Sequence, residues 1–489
     1  MSPREPRRVI ARSALSREQV AILFTLLASL PAFLPLPAFL SGLMVSVICV
    51  IAFVFSGSSR PVYGEPIALM AIVWFLAAGL PVLVPGLYTA DWYRPRLTER
   101  LIDLSALWLY RAWAAIVLGY WVARLFNRTA IARPVPRGFA FRERAFETAV
   151  GIVGVLGLLT TLYLGRGIVS TFDAALAVET STLGQIASYT LTCTYIFLFM
   201  VAARPGPLVR MLVTNRLFMA NLLGSIAIGA ISGTKGGLFA PLIALALGFA
   251  LRYRARATPW KDIAICAGGF AVLYAISVAV TAYRILSLAT PLQYSNNPFS
   301  AILAQIGLFL KATYLGLSGA IPASPDLLAR FSHVTNLGLV FKVSGQESPK
   351  YGFMETFFTP IYALVPRDLM PSKLVFFNSG DMAGMMGWSF GGLSITYPGS
   401  IYWSLGYAGI VPLCFVTGWL VFGIHNASIS GRFRALARFA LLPLILLVLD
   451  VGAEFHSTVI NLVRYFVFGA LLMLLVNLLP MTNSPVRTS

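Results

Sequence analysis

The 489-residue chain is 58% apolar and only 11% charged, with a mean hydropathy of +0.80. Soluble proteins carry about a quarter of their residues charged, so this chain lacks the means to coat a water-facing surface, which excludes a soluble globule and a disordered segment alike. Its 37 Lys and Arg against 18 Asp and Glu give a net charge of +19, but the excess sits between apolar runs with no zinc, helix-turn-helix or RNA-binding signature, so nucleic acid is not the expected partner.

A basic segment, residues 1–20, opens the chain and has no small-residue cleavage site, which predicts an uncleaved cytoplasmic tail. Apolar runs follow near 21–40, 41–57, 67–86, 104–123, 145–164, 184–203, 217–232, 237–252, 263–283, 401–424, 439–453 and 458–479. Each approaches the roughly 17 to 25 residues that a helix needs to cross a hydrocarbon layer, predicting an all-α polytopic membrane protein of about twelve spans. Pro31, Pro35 and Pro37 interrupt the first pair, where a single re-entrant hairpin fits as well. Basic residues recur in alternate connections: five in the tail, six in RLFNRTAIARPVPRGFAFRER, three across 204–216, four in RYRARATPWK and three in SGRFRALAR. Those segments are therefore assigned to the cytoplasm.

The resulting organisation is a tail (1–20), an N-terminal bundle of about nine spans (21–283), one large outer loop (284–400), about three C-terminal spans (401–479) and a second cytoplasmic tail (480–489). A loop this long is usually functional. It contains two apolar, amphipathic stretches and a Gly- and aromatic-rich region from Tyr351 to Gly399, expected to form a cap lying partly on the membrane. Cys49, Cys193, Cys266 and Cys414 lie inside apolar runs without metal-ligand spacing and read as small buried residues, and no HExxH, no GxSxG elbow with its partners and no DxD-like acidic pair in a first outer loop is found. Neither a metal nor another cofactor is expected.

Charges beside spans are costly and ask for a reason. Lys235 sits in the tight turn ISGTKGGLFAP, where glycines allow backbone amides to approach an anion; the plain alternative is a packing hairpin with a solvated Lys at its tip. Arg284 ends a span and fits either snorkelling or a ligand contact. Arg367 and Lys373 are bracketed by prolines in PRDLMPSK, which hold them in one orientation. Arg464 shares a helical face with Asn461, as a ligand contact or as interhelical glue, whereas Arg111 reads only as a snorkelling side chain. Acid and base candidates on the outer side include His333, Glu355, Asp381 and His456.

The strings PKYGFMETFFTPIYALVPRDLMPSK and GGLSITYPGSIYWSLGYAGIVPLCFVTG, with ISGTKGG, resemble the O-antigen polymerase (Wzy) family of oligosaccharide repeat-unit polymerases. Ser400 stands where that family often has an acid, and Lys235 where Arg is commoner. The resemblance implies a GT-C-like architecture in a bacterial cytoplasmic (inner) membrane, active on its periplasmic face. It also implies a metal-independent glycosyltransferase that moves an undecaprenyl-pyrophosphate-linked oligosaccharide to a sugar hydroxyl of another lipid-linked unit. A ligase is a close relative of this reading, and membrane lipids, a chain-length regulator and a flippase are the implied partners. On that reading Lys235, Arg284, Arg367, Lys373 and Arg464 grip the pyrophosphate, and Glu355, Asp381, His333 or His456 takes the acceptor proton. Trp388, Tyr397 and Tyr402 then stack on sugars, the alternative being an aromatic belt. A polyprenyl-glycan flippase or other transporter is the competing class. It is disfavoured because the cations crowd the outer ends of spans and no internal repeat is evident.

Overall fold

The computed structural model describes residues 15–56, 65–85, 97–127, 137–164, 182–204, 215–232, 235–252, 298–321, 332–344, 395–430, 434–449 and 455–478. Scattered positions between 268 and 286 and residues 358, 365 and 370 are also described, and at 137–142, 182, 185, 188, 230–232, 235–239, 249–252, 298–302, 305, 430, 434, 444–449 and 456–458 only the backbone is. Described residues form helices with no strand among them. They are α1 (Arg17–Ser29), α2 (Ala38–Ser56), α3 (Pro66–Leu83, with a π turn at Phe75–Gly79), α4 (Glu99–Phe126), α5 (Arg137–Tyr163), α6 (Thr182–Ala202) and α7 (Arg216–Ser232). There follow α8 (Lys235–Arg252), α9 (Pro298–Leu317), α10 (His333–Ser344), α11 (Tyr397–Leu405), α12 (Tyr407–Ser430), α13 (Arg434–Leu449) and α14 (Phe455–Leu478).

Among the described residues, six helical stretches are long and apolar enough to cross a membrane: α2, α3, α4, Glu143–Tyr163 of α5, Tyr407–Ile429 of α12 and Val459–Leu478 of α14. This is the architecture of a multi-pass helical membrane protein. Large apolar side chains face outward along these helices, Leu471, Leu474, Leu475 and Leu478 of α14 among them, as a lipid solvent permits and water would not.

Local chemistry sets the starts. Ser16 and Gln19 form a capping box, Gln19 N donating to Ser16 Oγ at 3.2 Å and Ser16 N to Gln19 Oε1 at 2.8 Å. Pro66 follows Glu65 at the first position of α3, where its missing N–H costs nothing. The prolines at 31–37 end α1 in a short 3-10 turn, Leu30–Phe33, before the chain reverses into α2. The first two apolar runs are therefore a helical hairpin whose first arm is broken. Its orphaned carbonyls are met by α4: Tyr110 Oη donates to the carbonyl of Ala28, and Arg111 Nε to that of Ala32 at 2.8 Å.

Contacts fix the helix directions. α1 opposes α2, with Arg17 Nη2 donating to the Val54 carbonyl at 2.7 Å, while α2 starts beside Asp103, which accepts from Ala38 N at 2.6 Å. α3 opposes α4, with Trp74 stacked on Trp113 and Glu65 beside Tyr120. α12 runs with α4, Trp108 stacking on Tyr407 and Tyr120 meeting Phe422 edge-on. α5 opposes α6 and runs with α7: Gly151 faces Phe197 and Leu217, Gly157 faces Thr190, and Gly224 faces Leu158. The starts of α1, α3, α5, α7 and α13 consequently lie at one end of the bundle. All five basic segments adjoin helix termini at that end, here called the basic end. The opposite end carries α10 and α11 as a cap.

α4 and α12 touch backbone to backbone: a Cβ at Gly119 would land on the carbonyl of Phe415, and one at Gly418 on that of Ile116. Between α5 and α7, fully buried Asn221 donates through Nδ2 to the carbonyls of Gly151 at 3.0 Å and Leu217 at 2.9 Å. We expect Gly418→Ala to lower the thermal midpoint in detergent by several degrees, whereas Gly423→Ala on the same helix, with open space at its Cβ, changes stability by less than about 0.5 kcal/mol. Equal midpoints for the two variants would remove the close crossing from the account of stability.

Candidate functional site

The α11 layer of the cap, residues 395–405, lies within the string GGLSITYPGSIYWSLGYAGIVPLCFVTG. Thr396 begins it at φ 68°, ψ 150°, a conformation that costs a side-chain-bearing residue about 1 to 3 kcal/mol. Buried Thr396 accepts from Gly399 N at 3.1 Å and so starts α11. One turn on, Ser400 Oγ donates to the Tyr397 carbonyl at 2.9 Å and accepts from Phe455 N at 2.6 Å. It thereby satisfies an orphan donor at the start of α14. Tyr397 Oη and Thr417 Oγ1 lie 2.7 Å apart, and the Tyr397 ring meets Phe455. Gly406 takes φ 69° to turn the chain into α12.

α10 packs on this layer, with Leu337 and Val340 against Gly399 and Phe341 against Tyr402 at 4.8 Å between centroids. An aromatic ladder continues through Tyr402–Tyr407 at 4.6 Å and Trp108–Tyr407 at 4.7 Å to Arg111, whose Cζ lies 4.5 Å from the Trp108 centroid. Tyr397 and Tyr402 are 3% and 5% exposed, so their ring faces are occupied by neighbouring side chains.

His333 is the first residue of α10, not a surface loop residue. It is 5% exposed, and its Nδ1 has no hydrogen-bond partner among the described residues. α10 is buried nearly all round rather than presenting one apolar face to the membrane. Its register against α11 puts His333 one turn before Leu337, toward the Thr396 end. Burial lowers the imidazole pKa from 6.5 to about 4, which keeps the ring neutral at pH 7.

The other candidates are distributed as follows. Lys235 is the first residue of α8, two residues after α7 ends and at the cap end, and His456 is the second residue of α14; the side chains of both lie outside the described residues. Arg464, in contrast, is placed, with Cζ 5.0 Å from the Tyr189 centroid, while neighbouring Tyr465 Oη donates to Thr192 Oγ1 at 2.7 Å. It is nine residues along α14, roughly 13 Å from the helix start, and faces α6. Arg284, Glu355, Arg367, Lys373, Asp381 and Trp388 lie outside the described residues. The cap thus carries His333 on α10 and Tyr397 and Tyr402 on α11, and packs α11 against the start of α14.

Sequence reasoning missed a buried ionic cluster at the basic end. Arg124 lies 3.5 Å from Glu18 and 3.8 Å from Glu65. Glu65 Oε2 also accepts from Tyr120 Oη at 2.8 Å and lies 3.7 Å from His425 Nε2. A second pair, Glu147 with Arg204, joins α5 to the end of α6. The available signal was the rarity of acids: Glu18 and Glu65 stand at the starts of apolar stretches where the neighbouring charges are basic. Among the described residues no group of three His, Cys, Asp or Glu side chains is placed to hold a metal ion. Compared with protein-family models, curated proteins and solved structures, the chain matches none of them.

Because native His333 binds its proton only near pH 4 while the unfolded chain does so near 6.5, its contribution to stability is intact above pH 6.5 and falls as pH drops toward 4. We therefore expect His333→Gln to flatten the thermal midpoint between pH 6.5 and 4 relative to the parent; superimposable profiles would contradict a buried neutral imidazole.

Proposed function

We propose that this chain is a metal-independent polysaccharide repeat-unit polymerase. It transfers an undecaprenyl-pyrophosphate-linked glycan to a sugar hydroxyl of another lipid-linked unit on the outer face of a bacterial cytoplasmic membrane. The observation that carries this reading is the position of the cap. Residues 395–405, the described part of the family-like strings ahead of α12, form a layer at the helix ends opposite the basic end, and basic connections mark the cytoplasmic side. A catalytic layer on the cap side meets glycans that have already crossed the bilayer. About twelve spans with a GT-C-like outer loop complete the proposed architecture, and no cofactor enters it.

In the reaction the anomeric C–O bond to pyrophosphate breaks as the acceptor oxygen forms the glycosidic bond. The acceptor proton passes to Glu355 or Asp381, with His333 and His456 as the other candidates. The departing pyrophosphate gathers negative charge, which preorganised cations stabilise; Lys235, Arg284, Arg367, Lys373 and Arg464 are assigned that role. Trp388 is the remaining candidate for sugar stacking, since the rings of Tyr397 and Tyr402 are packed. A chain-length regulator and a flippase are the proposed partners.

The flippase alternative requires the basic end to open during each cycle. The Glu18, Glu65, Arg124 and His425 cluster ties α1, α3, α4 and α12 together there, which favours a fixed bundle with chemistry at one face.

Purified protein in detergent should lengthen a lipid-pyrophosphate-linked glycan without metal or nucleotide. Lys235→Ala, Arg284→Ala and Arg367→Ala should each slow that extension by about 10²-fold or more while leaving membrane insertion intact. Unchanged chain length in all three variants would overturn the assignment of the pyrophosphate site.

A further inference from the structure

Arg111 is a cation placed among membrane-spanning helices with no acidic partner among the described residues. It lies seven residues inside the apolar stretch that begins at Leu104, roughly 10 Å along α4, and among the described residues no carboxylate is within ion-pair distance of it. An unbalanced charge at such depth is costly unless an anion or water reaches it.

The side chain is held firmly. Its Nε is committed to the Ala32 carbonyl at 2.8 Å and its Cζ lies over Trp108 at 4.5 Å, so the guanidinium is drawn back one turn toward the cap end. This leaves both Nη groups as a preorganised fork of the kind that suits phosphate oxygens.

Its setting is a groove. Leu104, Trp108, Arg111, Leu118 and Val122 are partly exposed at helical spacing and form one stripe of α4. The broken arm of the first hairpin borders it where Ala32 reaches Arg111, and α12 borders it where Tyr407 stacks on Trp108 and Trp419 on Phe126. On the hairpin side, Leu30 and Phe33 are 60% and 84% exposed.

We infer that Arg111 and the α4 groove form a binding site for one glycerophospholipid of the bilayer, its phosphate on the guanidinium fork and an acyl chain along Leu118 and Val122. The site uses none of the residues assigned to pyrophosphate above and does not depend on that reading. The helix break creates it: a continuous α1 would leave no free carbonyl at Ala32 to orient Arg111.

The test is the thermal midpoint of delipidated protein in detergent, with added phosphatidylglycerol or with diacylglycerol of the same acyl chains. Phosphatidylglycerol should raise the midpoint of the parent by on the order of 5 °C, diacylglycerol should not, and Arg111→Gln should abolish the difference. Equal shifts from the two lipids, or an undiminished response in Arg111→Gln, overturns the site, and a larger shift from undecaprenyl phosphate than from phosphatidylglycerol overturns its assignment to a bilayer phospholipid. Should Arg111→Gln fail to fold because Ala32 loses its donor, Leu118→Trp fills the groove and keeps the guanidinium. It should halve the phosphatidylglycerol response, and an unaltered response overturns the proposal.

Discussion

Within a hydrocarbon layer every backbone polar group must find its partner inside the protein, and the position of α4 follows from that constraint. The Pro-rich segment after α1 frees carbonyls that water cannot reach, and Tyr110 and Arg111 of α4 supply the donors. Asp103 of the same helix accepts from the first amide of α2. α4 is therefore the post on which the first hairpin hangs. Its other side admits α12 only because Gly119 and Gly418 remove the side chains that would hold the two backbones apart. Dispersion at that distance takes the place of a hydrophobic driving force that lipid does not provide.

Charge is partitioned by end. At the basic end the acids Glu18, Glu65 and Glu147 are each paired with arginine, and His425 joins one of these clusters. Removing one member of such a buried group leaves a partner uncompensated, which typically costs about 3 to 5 kcal/mol. The cap end has a different character. Among the described residues its buried polar groups are hydroxyls, an asparagine, the Trp403 indole and a neutral imidazole, and the hydroxyls of Thr396, Ser400 and Ser404 bond to backbone. A rigid, ion-linked base beneath a layer of neutral hydrogen bonds suits chemistry at the cap with little motion at the opposite face.

Much of this was legible in the sequence because bilayer thickness and backbone satisfaction act on run length alone. The runs at 41–57, 67–86, 104–123 and 145–164 correspond to α2, α3, α4 and α5, and the glycine-flanked turn before Lys235 separates α7 from α8. The site was less legible, since its determinants are contacts between distant elements. Nothing local to His333, read only as a candidate within the outer loop, announces that it is buried; its burial arises from packing on α11, more than sixty residues later. Tyr397 and Tyr402 carry the composition of a sugar platform, but their rings pack on Phe455 and Phe341. Arg124 was counted as a topology charge, and only the three-dimensional approach of Glu18 and Glu65 gives it a second role.

Ser400 joins the cap to the proposed chemistry. A hydroxyl there both donates and accepts, so it bridges the Tyr397 carbonyl and the first amide of α14 in a single buried position. A carboxylate at the same place would accept from the amide, and the positive end of the helix would favour its charge. It would lose the bond to Tyr397, because an ionised carboxylate has no proton to give. The serine is thus a structural joint whose single proton is already committed to the Tyr397 carbonyl. On the polymerase reading the acceptor proton must leave through another group, and residue 400 serves by holding α14, with His456 in its first turn, against the end of α11 where Thr396 is strained.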